Sequence, residues 1–263
     1  MDNITVFTKR NDSRAKAVGE KIRKFLSKHN FKTDLAVVVG GDGTFLSAVR
    51  TLVEKTPKGK PLPPMLGVHS GSLGFLTESS VNGWKNAINK GLRGGFTIEE
   101  RSMLSVRVGG NKKEYTVLND VVVNRESVAR MIDFDVYYNK EFVSNTKADG
   151  VIVSTPTGST AYSLAAGGPI LHPSIPAFVI TSISPHTLTN RPIVVADSGV
   201  IEVRVKTDSD EILVTLDGQT GISCGKNKRV IIKKNERKLR LIRPNDVTYF
   251  NILRNKLSFG KRG

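Results

Sequence analysis

Apolar positions along the first hundred residues alternate between two spacings. Residues 4–8 form a short apolar run of strand character, and 13–29 follow with Val18, Ile22, Phe25 and Leu26 at helical spacing. Residues 35–39 are apolar throughout, which suits a strand buried on both faces of a parallel sheet. That run leads into Gly40-Gly41-Asp42-Gly43-Thr44, after which Phe45, Leu46, Val49, Leu52 and Val53 recur at helical spacing, so the glycine run joins a strand to a helix. Pro57, Pro61, Pro63 and Pro64 punctuate a loop, residues 65–69 give another short strand, and Gly71-Ser72-Leu73-Gly74-Phe75 is a second glycine turn. The alternation predicts an α/β domain over residues 1–97, a parallel sheet with helices, with Trp84, Val81, Ala87 and Ile88 in its core.

From residue 98 the helical spacing fades. Runs rich in β-formers occupy 102–108, 115–123, 132–138, 151–155, 178–183, 201–205, 212–216 and 229–232, separated by turn residues such as Gly109-Gly110, Asn139-Lys140 and Asp217-Gly218. This density of strands predicts an all-β, sandwich-like domain over residues 98–229. A final helix is predicted at 249–257, within a last segment, 230–263.

Composition narrows the classes. A length of 263 residues gives one large domain or two modest ones, and 38% apolar with 24% charged residues excludes disordered, collagen-like and coiled-coil chains. Cys224, the one cysteine, forms no intramolecular disulfide, and neither CxxC nor HExxH occurs. With no basic leader ahead of an apolar run, and no stretch near the roughly 18 uncharged apolar residues of a bilayer span, the chain reads as cytoplasmic with no membrane partner. The net charge of +16 is concentrated at the chain ends, residues 1–34 and 226–263, while the middle balances. If the ends meet, they form a positive face that attracts phosphates, polyphosphate or nucleic acid; a solvated lysine-rich surface is the alternative.

Two constellations carry chemistry. Glycines 40, 41 and 43, with Thr44 opening a helix, let backbone N–H groups and a helix N-terminus approach a phosphate. Asp42 is the exception there, since its carboxylate repels phosphate unless it binds a metal ion or takes a proton from an attacking hydroxyl; its third reading is a cap on the following helix. The loop matches neither GxxxxGK[ST] nor GxGxxG. The second constellation, Asp149 to Ser163, runs strand, tight turn, helix, and gathers hydroxyls around Pro156 and Gly158. Those hydroxyls either present donors and acceptors to a sugar or phosphate edge, or only cap a helix.

Together these segments, with Asn119-Asp120, Ala166-Gly-Gly-Pro169, Ser184-Pro-His186 and Asn190-Arg-Pro192, resemble the NAD kinase family over roughly residues 4–259. The glycine loop alone is shared with phosphofructokinases and with diacylglycerol and sphingosine kinases; the run Thr155-Pro-Thr-Gly-Ser-Thr-Ala-Tyr162 makes the resemblance specific. The resemblance implies transfer of the terminal phosphoryl group of ATP to the 2′-hydroxyl of the adenosine ribose of NAD, giving NADP, with inorganic polyphosphate as a second donor to test. It implies Asp42 as proton acceptor and, with Gly43, as a dinucleotide contact. Asn119 and Asp120 are implied to hold the adenosine part, and Arg130, Lys147, Asp149, Thr160, Ala161, Tyr162, Ser163, Leu164, Ala165 and Gln219 fall on further dinucleotide-binding positions. The implied fold adds a last segment returning to the first domain. The implied assembly is a homodimer or homotetramer, and a divalent metal, Mg²⁺, is expected to arrive on the nucleotide because no carboxylate cage is visible.

A lipid kinase of the diacylglycerol or sphingosine type is the first rival, sharing Gly40–Thr44 and a two-domain plan but needing an apolar acceptor pocket and giving no reason for the hydroxyl-rich turn. A non-enzymatic polyanion binder would explain +16, yet 6% aromatic residues and no RNA-binding signature argue against a specific nucleic-acid partner.

Overall fold

A computed structural model of the chain describes residues 4–28, 34–92, 97–125, 131–207, 212–243 and 248–258. The chain divides into two compact units, one of residues 1–100 with 239–263, the other of 101–238. No helix among the described residues is long and apolar enough to cross a membrane.

The first unit begins β1 (Ile4–Thr8), α1 (Ser13–Leu26), β2 (Leu35–Val39), α2 (Asp42–Lys55), β3 (Met65–His69), β4 (Ser79–Ser80), α3 (Trp84–Leu92) and β5 (Thr97–Arg101). Asp12 caps α1 by accepting the Ala15 N–H at 2.9 Å; of the expected stripe Ile22 and Leu26 are buried, together with Ala15 and Gly19, while Val18 and Phe25 pack partly buried against the same core. Position 29, included in the expected helix, lies outside the described residues. Every residue of β2 is buried, because β1 and β3 pair with it in parallel on either edge and apolar side chains cover both faces. Trp84, Ala87 and Ile88 are buried in this core and Val81 packs against it.

The second unit carries β6 (Leu104–Val108), β7 (Tyr115–Val117), β8 (Asp120–Arg125), β9 (Ile132–Tyr138), β10 (Glu141–Ala148), β11 (Gly150–Ser154), a 3₁₀ turn at Gly158–Thr160, α4 (Tyr162–Ala165), β12 (Ala177–Ile183), β13 (Ile193–Ala196), β14 (Ile201–Lys206), β15 (Ile212–Leu216), β16 (Thr220–Ser223) and β17 (Arg229–Lys234). These strands make two six-stranded sheets, β10-β9-β14-β17-β6-β7 and β13-β12-β11-β8-β15-β16. Alternate residues of both sheets, among them Val121, Val123, Phe134, Val203 and Val214, fill one shared apolar core. Cys224 is buried in it.

The chain then supplies β18 (Leu239–Arg243) and α5 (Tyr249–Leu257) to the first unit, whose main sheet runs β1-β2-β3-β18-β5. Three expected boundaries shift, the first being the end of the opening stretch, at residue 100 rather than 97. The last segment separates at Leu239 rather than at 230, because β17 pairs with β14 and β6 inside the second unit. The apolar run 115–123 breaks at Leu118-Asn119 into two strands that pair in different sheets.

Candidate active site

On the first unit, β2 ends at Val39 and α2 begins at Asp42, with Gly41 as its N-cap and no side chain capping it. The capping reading of Asp42 is therefore corrected. Its carboxylate turns instead to the second glycine turn: Oδ2 accepts the Phe75 N–H at 2.9 Å, and Oδ1 accepts the Leu76 N–H at 3.1 Å and the Thr77 hydroxyl at 3.2 Å. Gly74 makes this approach possible, since a Cβ there would stand 2.1 Å from Asp42 Oδ1. The half-buried carboxylate is thus held in one orientation by three donors. Gly40 is buried, Thr44 half-buried, and Gly41 and Gly43 are exposed, with open space around the Cβ position of Gly41.

On the second unit, a cavity of about 310 Å³ opens over one face of the sheet formed by β8 and β15. Strand periodicity builds it. Val121 and Val123 point into the apolar core, so Asp120, Val122 and Asn124 face the other way, beside Thr215 of β15 and the Asp217-Gly218 turn, with Ala161 and Tyr162 completing the wall. Tyr162 is 46% exposed and offers a ring face. Asn119 Oδ1 and Asn124 Oδ1 are buried without a protein hydrogen-bond partner. Such groups are costly to leave unmade and mark where a ligand with N–H or O–H donors would bind. Burial, and secondly the nearby Asp217 charge, push the Asp120 carboxyl up to about 7, against the opposing pull of the Tyr162 N–H.

In the hydroxyl-rich turn no side chain caps α4, and the hydroxyls bond to neighbouring protein groups. Ala161 is the N-cap of α4 and makes no side-chain cap. Thr155 Oγ1 donates to Leu118 O at 2.6 Å and accepts the Gly158 N–H at 3.1 Å; Ser159 Oγ donates to Pro156 O at 2.7 Å and accepts the Leu171 N–H at 2.9 Å. Ser163 is fully buried against the Thr181 hydroxyl at 3.1 Å, and Thr160 Oγ1 donates to Thr157 O at 3.3 Å. Of these hydroxyls, that of Thr155 ties the turn to the β7–β8 corner, while those of Ser159 and Thr160 bond within the turn or to Leu171 and that of Ser163 meets Thr181 of β12. Gly158 lies so close that a Cβ there would be 2.1 Å from Asn119 O.

Of the expected dinucleotide residues, Asn119, Asp120, Ala161 and Tyr162 meet in the cavity. Leu164 and Ala165 lie further along α4, and the exposed Lys147, Asp149 and Gln219 are outside the cavity lining. Arg130 lies outside the described residues. Asn124 and Asp217 also line the cavity and are not among the expected residues. Asn124 is detectable as the third residue in the alternation that starts at Asp120, whereas Asp217 reads in sequence only as a hairpin-turn residue.

A carboxylate fixed in a glycine loop of an α/β unit, and an amide-and-acid pocket on a β unit, are the kinds of groups that a phosphotransferase acting on a nucleotide-like acceptor uses. The family model described as the ATP-NAD kinase N-terminal domain matches residues 2–96, and that of the ATP-NAD kinase C-terminal domain matches 118–244. The chain belongs to the NAD kinase family. It is 38% identical to an NAD kinase of Geotalea daltonii and 41% identical to one of Citrifermentans bemidjiense, in each case over 100% of both chains. An NAD kinase of Archaeoglobus fulgidus, solved in complex with ATP, superposes with a TM-score of 0.79 at 25% identity, over 98% of this chain and 99% of that one. Yeast NADH kinase, solved with NADH, shares the fold with a TM-score of 0.88 at 21% identity, over 100% of this chain and 89% of that one. Nothing in these matches favours the lipid kinase reading.

Proposed function

We propose that this enzyme transfers the γ-phosphoryl group of ATP to the 2′-hydroxyl of the adenosine ribose of NAD. The bond between the ribose oxygen and phosphorus forms, the bridging oxygen–phosphorus bond of ATP breaks, ADP leaves with that electron pair, and the hydroxyl proton passes to Asp42. The observation that carries the reading is the pair of unspent carboxamide oxygens, Asn119 Oδ1 and Asn124 Oδ1, beside Asp120 and the ring of Tyr162. A purine nucleoside supplies what these groups lack: amino and hydroxyl donors, and a flat face for the tyrosine.

Asp42 suits the base role on physical grounds. A carboxylate is far too weak to ionise a sugar hydroxyl outright, but a loose phosphoryl-transfer transition state needs a nucleophile that is oriented and deprotonated late. The grip of Phe75, Leu76 and Thr77 supports orientation. Gly40, Gly41, Gly43 and Thr44 are the proposed phosphate loop, and Lys147, Asp149, Arg130, Thr160, Ser163, Leu164, Ala165 and Gln219 remain proposed dinucleotide positions. Among the described residues no three His, Cys, Asp or Glu side chains form a metal-ligating group. The divalent ion, Mg²⁺ in this proposal, is assigned to the ATP phosphates, and no step is routed through it. A cytoplasmic homodimer or homotetramer is the proposed form.

The test is incubation of purified protein with NAD, Mg²⁺ and either ATP or polyphosphate, followed by enzymatic detection of NADP. NADP formed with ATP supports the reading; a diacylglycerol or sphingosine acceptor phosphorylated in its place would replace it.

A further inference from the structure

The corner Leu118-Asn119, which delivers Asn119 and Asp120 to the cavity, is held on both of its polar sides. Its carbonyls are taken by Thr155, Leu118 O by the hydroxyl at 2.6 Å and Asn119 O by the N–H at 2.9 Å. Its N–H groups are taken by one side chain, Asp217: Leu118 N–H lies 3.1 Å from each carboxylate oxygen, and Asn119 N–H lies 2.6 Å from Oδ1. The Asp217 N–H in turn donates to Asp120 O at 3.0 Å, closing the arrangement. Asp217 is placed by its hairpin. It and Gly218 have φ of +51° and +63°, as a mirror-image turn requires, and Gln219 N–H closes that turn on Leu216 O at 3.0 Å.

We propose that Asp217 is a positioning residue for the phosphoryl acceptor, fixing the Asn119-Asp120 corner against which the dinucleotide seats. A hairpin turn alone asks only for Asn, Asp or Gly at this position. The contacts ask for more: an anion accepting two adjacent backbone N–H groups from another part of the chain, while lining the cavity itself. The proposal rests on the reading that this cavity holds the dinucleotide. The same carboxylate faces Asp120, and the titratable side chains among the cavity-lining residues are Asp120, Asp217 and the Tyr162 phenol, so removing the Asp217 charge removes the like-charged neighbour of Asp120.

The experiment compares Asp217→Asn and Asp217→Ala with the parent, measuring KM for NAD, KM for ATP and kcat from pH 5 to 9, with thermal melting as the check of folding. Asparagine keeps the turn and an oxygen for both N–H groups but loses the charge; alanine loses both. Expected for Asp217→Ala is a rise in KM for NAD of about 10- to 100-fold with KM for ATP little changed, the size of effect that misplaced binding groups produce. Expected for Asp217→Asn is substantial rescue of that KM, with the pH profile for NAD moved to lower pH. A folded Asp217→Ala enzyme with parental KM for NAD, or an Asp217→Asn enzyme with KM for NAD raised as far as in the alanine variant, overturns the proposal. If the alanine variant does not fold, Asp217→Gly, which suits the positive φ of the turn and lacks the acceptor, takes its place in the KM comparison. The dinucleotide-pocket reading is tested separately by Asp120→Ala: unaltered NAD binding there means that the pocket reading has failed, not merely the role of Asp217.

Discussion

Asp42 and Asp120 show how one residue type acquires two characters from its surroundings. Asp42 accepts three hydrogen bonds from Phe75, Leu76 and Thr77. Replacing it with asparagine turns an amide donor toward backbone donors and removes the proton acceptor, so Asp42→Asn is expected to lower kcat by roughly 10² to 10⁴ while changing NAD affinity little. Steady-state kinetics with calorimetric NAD binding checks this, and near-parental turnover would remove Asp42 from the mechanism. Asp120 is held protonated up to about pH 7 by burial and by Asp217. In the unfolded chain it releases its proton near the ordinary value of about 3.9, so between these values the folded state binds the extra proton. Its contribution to stability is complete below the unfolded value and is lost as pH rises through the folded one. Ligand-free parent protein should lose stability between pH 5 and 8, and Asp120→Asn should lose less; urea unfolding at both pH values measures it. Equal pH dependence in the two proteins would contradict the assignment.

Elements position these carboxylates through close backbone approaches. The turn carrying Gly158 presses on Asn119, and the Thr155 hydroxyl and N–H hold the corner's carbonyls. Gly158→Ala would put a Cβ 2.1 Å from Asn119 O, so the turn or the corner must move. The expected outcome is about 1 to 3 kcal/mol of destabilisation, together with weaker NAD binding at parental KM for ATP. Denaturant melts and NAD titration test it, and undiminished NAD affinity would show that corner and pocket are uncoupled. Strands with clean apolar runs were legible in sequence: Ile4–Thr8, Leu35–Val39, Met65–His69, Ile132–Tyr138 and Ile212–Leu216 occupy the expected residues. Two strands outside that reading, β10 and β18, have polar or mixed patterns for physical reasons. β10, at a sheet edge, leaves Glu141, Phe142, Asn145 and Lys147 exposed. β18 interleaves arginines with buried leucines, and Arg243 is itself buried in ion pairs with Glu78, at 3.1 Å, and Glu99.

At the scale of the whole molecule, the charge of +16 is a long-range property, felt most by the most highly charged substrate. Raising ionic strength shortens the screening length from about 10 Å at 0.1 M to about 3 Å at 1 M. KM for ATP is therefore expected to rise more steeply with salt than KM for NAD, and polyphosphate, if used, more steeply still. Initial rates across a KCl series check this; parallel slopes for ATP and NAD would mean that net charge has no part in donor capture. The segment from Leu239 onward belongs with residues 1–100, so both ends of the chain contribute to the first unit.

The sequence alone determined the strand–helix alternation, the β-rich second half, the aspartate in its glycine loop and the family resemblance, because each is written in local spacing and in contiguous motifs. Tertiary structure decided which hydroxyls face inward, that Asp42 is gripped by residues 75–77, that Asn124 joins Asn119, and that Asp217 holds a corner 98 residues earlier in the chain. Those are pairings between groups far apart in sequence. A hydrogen bond depends on distance and direction in space, and only the folded register of β8 and β15, with the turns beside them, sets both.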